Sequence, residues 1–335
     1  MRILKHKSIR IVCSLLILIS MLFLSSCNEV SAKKIVLADA GWQSIRFHNE
    51  VAKLILEHGY DYQVDVINGS TSSTFLGLRQ GDIDVYMEVW TQNIPELYQK
   101  AIQAGEIKKV SVNFNDNRQG LYVPTYVIKG DPARKIKPMA PDLKSVRDLS
   151  KYWHLFKDPS DKNKGRIYGP PTGWAVYKIL EQKMKTYGLE KNMNFFAPGS
   201  DTALTTSLTK AYEKGEPWVG YYWEPTWVMG KYDMTLLEEP KYNEKVWNKN
   251  YGTEFPTMDV VIAVHKDVEK RHPEVIKFLK QYKTSSQLTN EALAYMQEHD
   301  ADEQEAARWW MKKHMDLWTK WVPKDVAEKV KKKLE

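Results

Sequence analysis

Apolar positions along the chain switch between a period of two and a period near 3.6. The runs with strand character are K-I-V-L-A at Lys34–Ala38, Tyr62–Ile67, and I-D-V-Y-M-E-V-W at Ile83–Trp90. Each is followed by a helical pattern. Ile45, Val51, Leu54 and Ile55 mark one face of a helix running to about His58, with Gly59 as its stop. Gly69–Thr74 opens a second helix that ends at Gln80-Gly81, and a third spans about Pro95–Ala104. This alternation predicts a doubly wound α/β unit with a parallel sheet. Gly120–Ile128 reads as a strand carrying Pro124, which cannot donate to a ladder and so belongs at an edge or a crossover. It is taken as the entry to a second unit. That unit holds Leu143–Leu149, a strand at Arg166–Tyr168, helices over Trp174–Tyr187 and about Ser200–Lys214, and a strand at Trp218–Trp223. Met258–Val264 reads as the return strand. Helices over Pro273–Tyr282, Gln287–Glu298, Asp302–Lys320 and Lys324–Leu334 complete the chain. The expected fold class is α/β: two doubly wound α/β lobes joined by two crossing segments. Lobe I is 33–117 plus 257–335 and lobe II is 118–256, an arrangement suited to hinge closure.

The first residues follow neither period. Arg2, Lys5, Lys7 and Arg10 precede an apolar run, Ile11–Leu24, and then Leu24-Ser25-Ser26-Cys27. The run is shorter than the ~20 residues of a spanning helix and reads as an export signal. Residues 1–26 are expected to be the signal and 27–32 a tether, with a lipid on the sulfur of Cys27. That lipid, expected to be a diacylglycerol because the small residues before Cys27 resemble a bacterial lipobox, would hold the protein by two acyl chains on the extracytoplasmic face of a membrane. An ordinary signal peptide with an incidental cysteine is the simpler alternative. Removing four basic residues takes the net charge from +7 to +3, and the other lysines form no stripe, so nucleic acid is not an expected partner. Cys13 leaves with the signal. One cysteine of the two remains, which allows no internal disulfide. With 43% hydrophobic and 27% charged residues over 335 positions, the chain can bury two ordinary cores.

The candidate chemistry lies in the tryptophans, of which there are twelve. Trp309, Trp310, Trp318 and Trp321 share one helical stretch and read as core. Trp153 and Trp247 lie in polar, loop-like surroundings. Trp90, Trp174 and Trp223 each fall at the end of a strand or just after it, and Trp42 and Trp227 are near such ends. Ligands of α/β folds bind at the carboxyl ends of strands. Any one of these rings could simply be packing; three together suggest an aromatic-walled site. Indole faces attract a cation within ~6 Å, by ~2 kcal/mol or more when dry. A quaternary ammonium has no N–H to donate, so ring faces are an efficient way to hold it. A zwitterionic ligand also needs an anion site. The helix start at Gly41-Trp42-Gln43-Ser44 could supply one, as could Gly69–Thr74 or Gly199–Thr202, though each could equally be ordinary capping. Glu88 and Glu224 flank the strand-end tryptophans, either as solvated or paired acids or as help for a cation. The motifs G-x-S-x-G, G-x-G-x-x-G, the P-loop and H-E-x-x-H do not occur. No cofactor, no metal and no catalysis are expected.

Five motifs, in order, carry a resemblance: A-G-W-Q-S-I at Ala40–Ile45, D-I-D-V-Y-M-E-V-W at Asp82–Trp90, Q-G-L-Y-V-P-T-Y-V at Gln119–Val127, P-P-T-G-W at Pro170–Trp174 and Y-Y-W-E-P-T-W at Tyr221–Trp227. The chain resembles the substrate-binding proteins of glycine betaine/proline-type ABC importers from about Lys33 to Trp321. The resemblance implies a type II binding-protein fold whose two lobes close on the ligand. Carried over by position, it implies a cage of Trp90, Trp174 and Trp223. Trp42 and Gln43 would be amide donors to a ligand carboxylate, with Trp42 a possible fourth wall. Glu88, Tyr222 and His265 are further candidates, His265 as a side-chain donor. The resemblance also implies a monomeric receptor docking on an ABC permease, in the lipid-anchored form of Gram-positive bacteria. Choline, carnitine, trimethylamine N-oxide or a sulfonium compound would suit the same cage. A secreted carbohydrate-active enzyme using tryptophan platforms with Glu88 and Glu224 remains an alternative from another class. So does a purely structural lipoprotein.

Overall fold

The computed structural model describes residues 33–335, so the signal, the tether and Cys27 lie outside the described residues. Two sheets organise the chain. The first contains β1 (Lys34–Asp39), β2 (Gln63–Asn68), β3 (Val85–Trp90), β4 (Ile107–Phe114) and β11 (Val260–His265), in the order β2-β1-β3-β11-β4. The second contains β5 (Arg118–Pro124), β6 (Lys157–Asp158), β7 (Asp161–Tyr168), β9 (Gly220–Glu224) and β10 (Met234–Leu236), in the order β10-β5-β9-β7-β6, with β8 (Met193–Phe196) also paired to β7. The chain passes between the sheets twice, after Phe114 into β5 and after Leu236 into β11.

Both sheets are mixed. β1 runs parallel to β3, whereas β11 lies antiparallel to both β3 and β4. The chain returns from the second sheet in the reverse sense, and β11 therefore inserts antiparallel beside the central strand. β3 is buried at all six positions and β11 likewise. Continuous burial explains why their sequences are apolar on both faces.

Most of the predicted elements appear close to their expected limits. Three differ. The strand expected over Gly120–Ile128 ends at Pro124, and Thr125–Lys129 is a helical turn, because Pro124 can begin a helix but not continue a ladder. The helix expected over Asp302–Lys320 breaks at His314 into Glu303–Lys313 and Met315–Trp318. β4, with the pattern I-K-K-V-S-V-N-F, was not anticipated: its four central residues are polar or only half-buried at a sheet edge. Trp247 also differs from its expected polar surroundings. It is fully buried against Tyr251 and Phe255, with the ammonium of Lys183 over its ring. Trp310, Trp318 and Trp321 are buried, as the helical pattern suggested.

Candidate functional site

β1 ends at Asp39, and the next three residues build the first wall. Gly41 adopts φ +96°, a conformation that L side chains rarely tolerate. Asp39 fixes the turn: one carboxylate oxygen accepts from the Gly41 N–H at 2.7 Å and the other from Arg46 Nε at 2.8 Å. Trp42 then caps the helix Gln43–Tyr60 with extended backbone, which directs its ring out of the helix.

β3 supplies the second wall. Side chains alternate along a strand, so Tyr86, Glu88 and Trp90 share one face. Glu88 is completely buried, and its Oε2 accepts from Trp42 Nε1 at 2.7 Å, Ser44 Oγ at 3.1 Å and Trp90 Nε1 at 3.3 Å. One carboxylate thus holds two indoles from different elements. The other oxygen faces His48 Nε2 at 3.4 Å, and His48 Nδ1 meets the Tyr282 hydroxyl at 2.8 Å. Burial pushes Glu88 up to about 7 and His48 down to about 3.

The opposing walls come from the second sheet. Trp174 stands in the turn before the helix Val176–Thr186, its N–H bonded to Pro171 O at 3.0 Å. Trp223 lies on β9 with Tyr221 two positions earlier on the same face, the two rings stacked at 5.7 Å. Trp174 meets Trp223 edge to face at 5.0 Å and 86°, and meets Trp42 of the first sheet at 5.6 Å and 85°. Trp42, Trp90, Trp174 and Trp223 are all nearly buried and line one apolar cavity, together with Tyr86, Tyr221, Asn93 and Thr71.

Polar bonds join the two sides around this cavity. The Thr71 N–H donates to Gly173 O at 3.1 Å and the Ala175 N–H to Thr71 Oγ1 at 3.3 Å. The Gln43 N–H donates to Asp201 Oδ2 at 3.4 Å. Asp201 opens the helix Asp201–Lys214, is pushed up to about 6 by burial, and lies close enough to Arg46 to feel its charge. The amide expected to meet a ligand carboxylate therefore faces a carboxylate of the protein itself.

The remaining candidates lie elsewhere. The Tyr222 ring stacks on Trp223 at 5.0 Å from outside the cavity, and its hydroxyl pairs with Thr205 Oγ1 at 2.8 Å. It is not a cavity wall. His265 closes the far end of β11 against Gly81, whereas Val260 at the near end pairs with Trp90. Five residues of strand put it ~16 Å along β11, too far to serve the cavity. Glu224 pairs across the sheet with Arg118, whose charge acts on it. It does not line the cavity either. Tyr86 and Tyr221 were not anticipated as walls, although their spacing to Trp90 and Trp223 on a two-residue period would have marked them.

Two mixed sheets with an aromatic cavity between them define the periplasmic-binding-protein-like class. Residues 33–313 match the substrate-binding domain of the ABC-type glycine betaine transport system, and the chain belongs to that family. Among curated proteins it is 22% identical over 321 residues to the trimethylamine N-oxide-binding protein of Pelagibacter ubique, covering 93% of this chain and 98% of that one. The glycine betaine/carnitine transport binding protein GbuC of Listeria monocytogenes is 25% identical over 174 residues, 52% of this chain and 54% of its own length. Among solved structures, the glycine betaine/L-proline-binding protein ProX of Borrelia burgdorferi superposes with a TM-score of 0.73 at 19% identity, covering 89% of this chain and all of that one. An ABC-transporter choline-binding protein in complex with choline gives 0.73 at 21% identity, covering 90% and 98%. These likenesses agree on the fold. The chain is a substrate-binding protein of the ABC-type glycine betaine transport family.

Proposed function

We propose that the receptor captures a compact quaternary ammonium compound, glycine betaine or a close relative, in a cage of Trp42, Trp90, Trp174 and Trp223. The observation that carries this reading is the near-perpendicular meeting of Trp42, Trp174 and Trp223 across the two sheets. Perpendicular faces form a box, which meets a tetrahedral cation from several sides. A sugar ring calls for flat platforms, and Glu88 and Glu224 are absent from the cavity wall, which weighs against a glycosidase. The receptor carries out no reaction of its own. It closes on the ligand and delivers it to an ABC permease, from a lipid anchor at Cys27.

A second reading is favoured by Asp201. Its carboxylate takes the Gln43 N–H, so a ligand without a carboxylate, such as choline, loses nothing at that position. Calorimetric titration of the mature chain lacking Cys27 with glycine betaine and choline tests both readings. Saturable binding of either supports the cage, and their ratio reports on the anion position. The absence of binding to both, in folded and ligand-free protein, would sink the quaternary-ammonium reading.

A further inference from the structure

Glu88 is a carboxylate with no exposed surface and, among the described residues, no Lys or Arg paired to it. Buried charges are almost always paired, since an uncompensated one costs several kcal/mol. Its partners are neutral: the Trp42 and Trp90 indoles and the Ser44 hydroxyl donate to one oxygen, while the other accepts no hydrogen bond and faces His48, which burial keeps uncharged. A purely structural pin for two indoles would need only an amide oxygen. The carboxylate lies just behind two of the four rings that line the cavity, and the one cation missing from its surroundings is the one the cavity suits.

We propose that Glu88 is the counter-charge of the ligand cation, acting through the Trp42 and Trp90 indoles that it holds by their N–H groups. The proposal rests on the cage reading and adds to it a positioning residue that sets affinity by charge. Two effects combine. Each indole that donates to a carboxylate is polarised, which makes the ring face more negative toward the cavity. The carboxylate also attracts the cation directly across the width of a ring, in a site from which water is excluded. Entry of a cation then favours the ionised form of Glu88, so ligand binding near neutral pH expels a proton. The groups facing Glu88 leave it as the titrating member. Ser44 and Trp90 are neutral, His48 is held neutral, and the Tyr282 hydroxyl behind His48 is pushed well above its ordinary range by burial and by Glu88 itself.

The test uses Glu88→Gln, which keeps an acceptor oxygen for the Trp42 N–H, and two ligand pairs of matched shape. One pair is choline and 3,3-dimethylbutan-1-ol; the other is glycine betaine and 3,3-dimethylbutanoate. In each the second member replaces the cationic nitrogen by carbon. The expected result is a roughly ten- to fiftyfold loss of affinity for the cationic member, from a charge lost at about a ring's width in a partly dry site. The carbon analogue should change by less than about twofold. Equal losses for both members would show a merely structural role and overturn the proposal, as would unchanged affinity for the cation. Should the variant not fold, the unmodified chain decides: its binding heat near pH 7 must vary with the ionisation enthalpy of the buffer, and a buffer-independent heat refutes the proton release. A native chain that binds neither choline nor betaine overturns the cage reading itself, an outcome separate from a failure of the variant.

Discussion

Trp174→Ala tests the cage most directly, because Trp174 touches walls on both sheets. Its contact with Trp223 stays on the side of the second sheet, whereas its contact with Trp42 reaches the first; on the proposed closure only the latter depends on the two sides meeting. Removing the ring therefore takes from the bound state one cation–π face, worth about 2 kcal/mol in a dry site, and one cross-lobe aromatic pair, worth ~0.5–1.5 kcal/mol. The sum is about 3 kcal/mol, or roughly two orders of magnitude in Kd. Titration of glycine betaine or choline, followed by heat or by tryptophan fluorescence, reads this directly. The ring is nearly buried, so truncation also destabilises the fold, by ~3–5 kcal/mol. Trp174→Leu separates the two costs: it restores most of the buried volume and none of the ring face. Binding by the leucine variant should stay at least tenfold weak while its melting temperature recovers toward that of the native chain. Recovery of affinity along with stability would refute the cation–π argument and leave Trp174 as packing.

Gly41→Ala should destabilise by about 1 kcal/mol and weaken binding as well, since φ +96° cannot be kept without strain and the turn aims Trp42; denaturant melts and titration measure both. Asp201→Ala should free the Gln43 N–H and raise affinity for glycine betaine relative to choline by several-fold, up to about tenfold, which parallel titrations would show; an unchanged ratio would mean that this helix start does not meet the ligand's carboxylate. His48 is held neutral with its value lowered to about 3, whereas the unfolded chain takes up a proton near 6.5, so its contribution to stability is lost as pH falls from about 6.5 toward 3. A flatter acid limb in the melts of His48→Gln is the expected outcome. Glu88 acts in the opposite sense: an acid raised to about 7 loses folded stability as pH rises from about 4.5 to 7 in the unliganded chain, and Glu88→Gln should remove that slope.

The four tryptophans of the cavity were legible in the sequence because each stands next to a punctuation mark. Trp42 follows Gly41, Trp174 follows the P-P-T-G turn, and Trp90 and Trp223 end or nearly end apolar strands. Such positions are fixed locally, by turn chemistry and by strand alternation. What could not be read was the use of polar groups whose partners are distant in sequence. Glu88 looked like a flanking acid, yet it is the buried acceptor for an indole 46 positions earlier. Gln43 looked like a free amide donor, yet Asp201, 158 positions later, occupies it. β4 was missed for a related reason. Its pairing with β11 is made by the backbone, and the half-exposed side chains of an edge strand carry little periodic signal.

Among the described residues the bonds that join the two sides around the cavity are few and long, between 3.1 and 3.4 Å, and on the proposed closure water replaces each when the sides part. Exchanging such bonds with solvent yields at most ~1 kcal/mol each. Against them stands the cost of closing an apolar box with nothing inside to contact its walls. A closure held by so few bonds is one that a small ligand can tip. A cation seated among the four rings would gain, as the second sheet's side closes over it, the attraction of Glu88 through the two indoles that the carboxylate holds. An apolar ligand of the same shape would fill the box and gain no such attraction. On this account the cage discriminates by charge through the energetics of closing, beyond what contact with the ring faces alone would give.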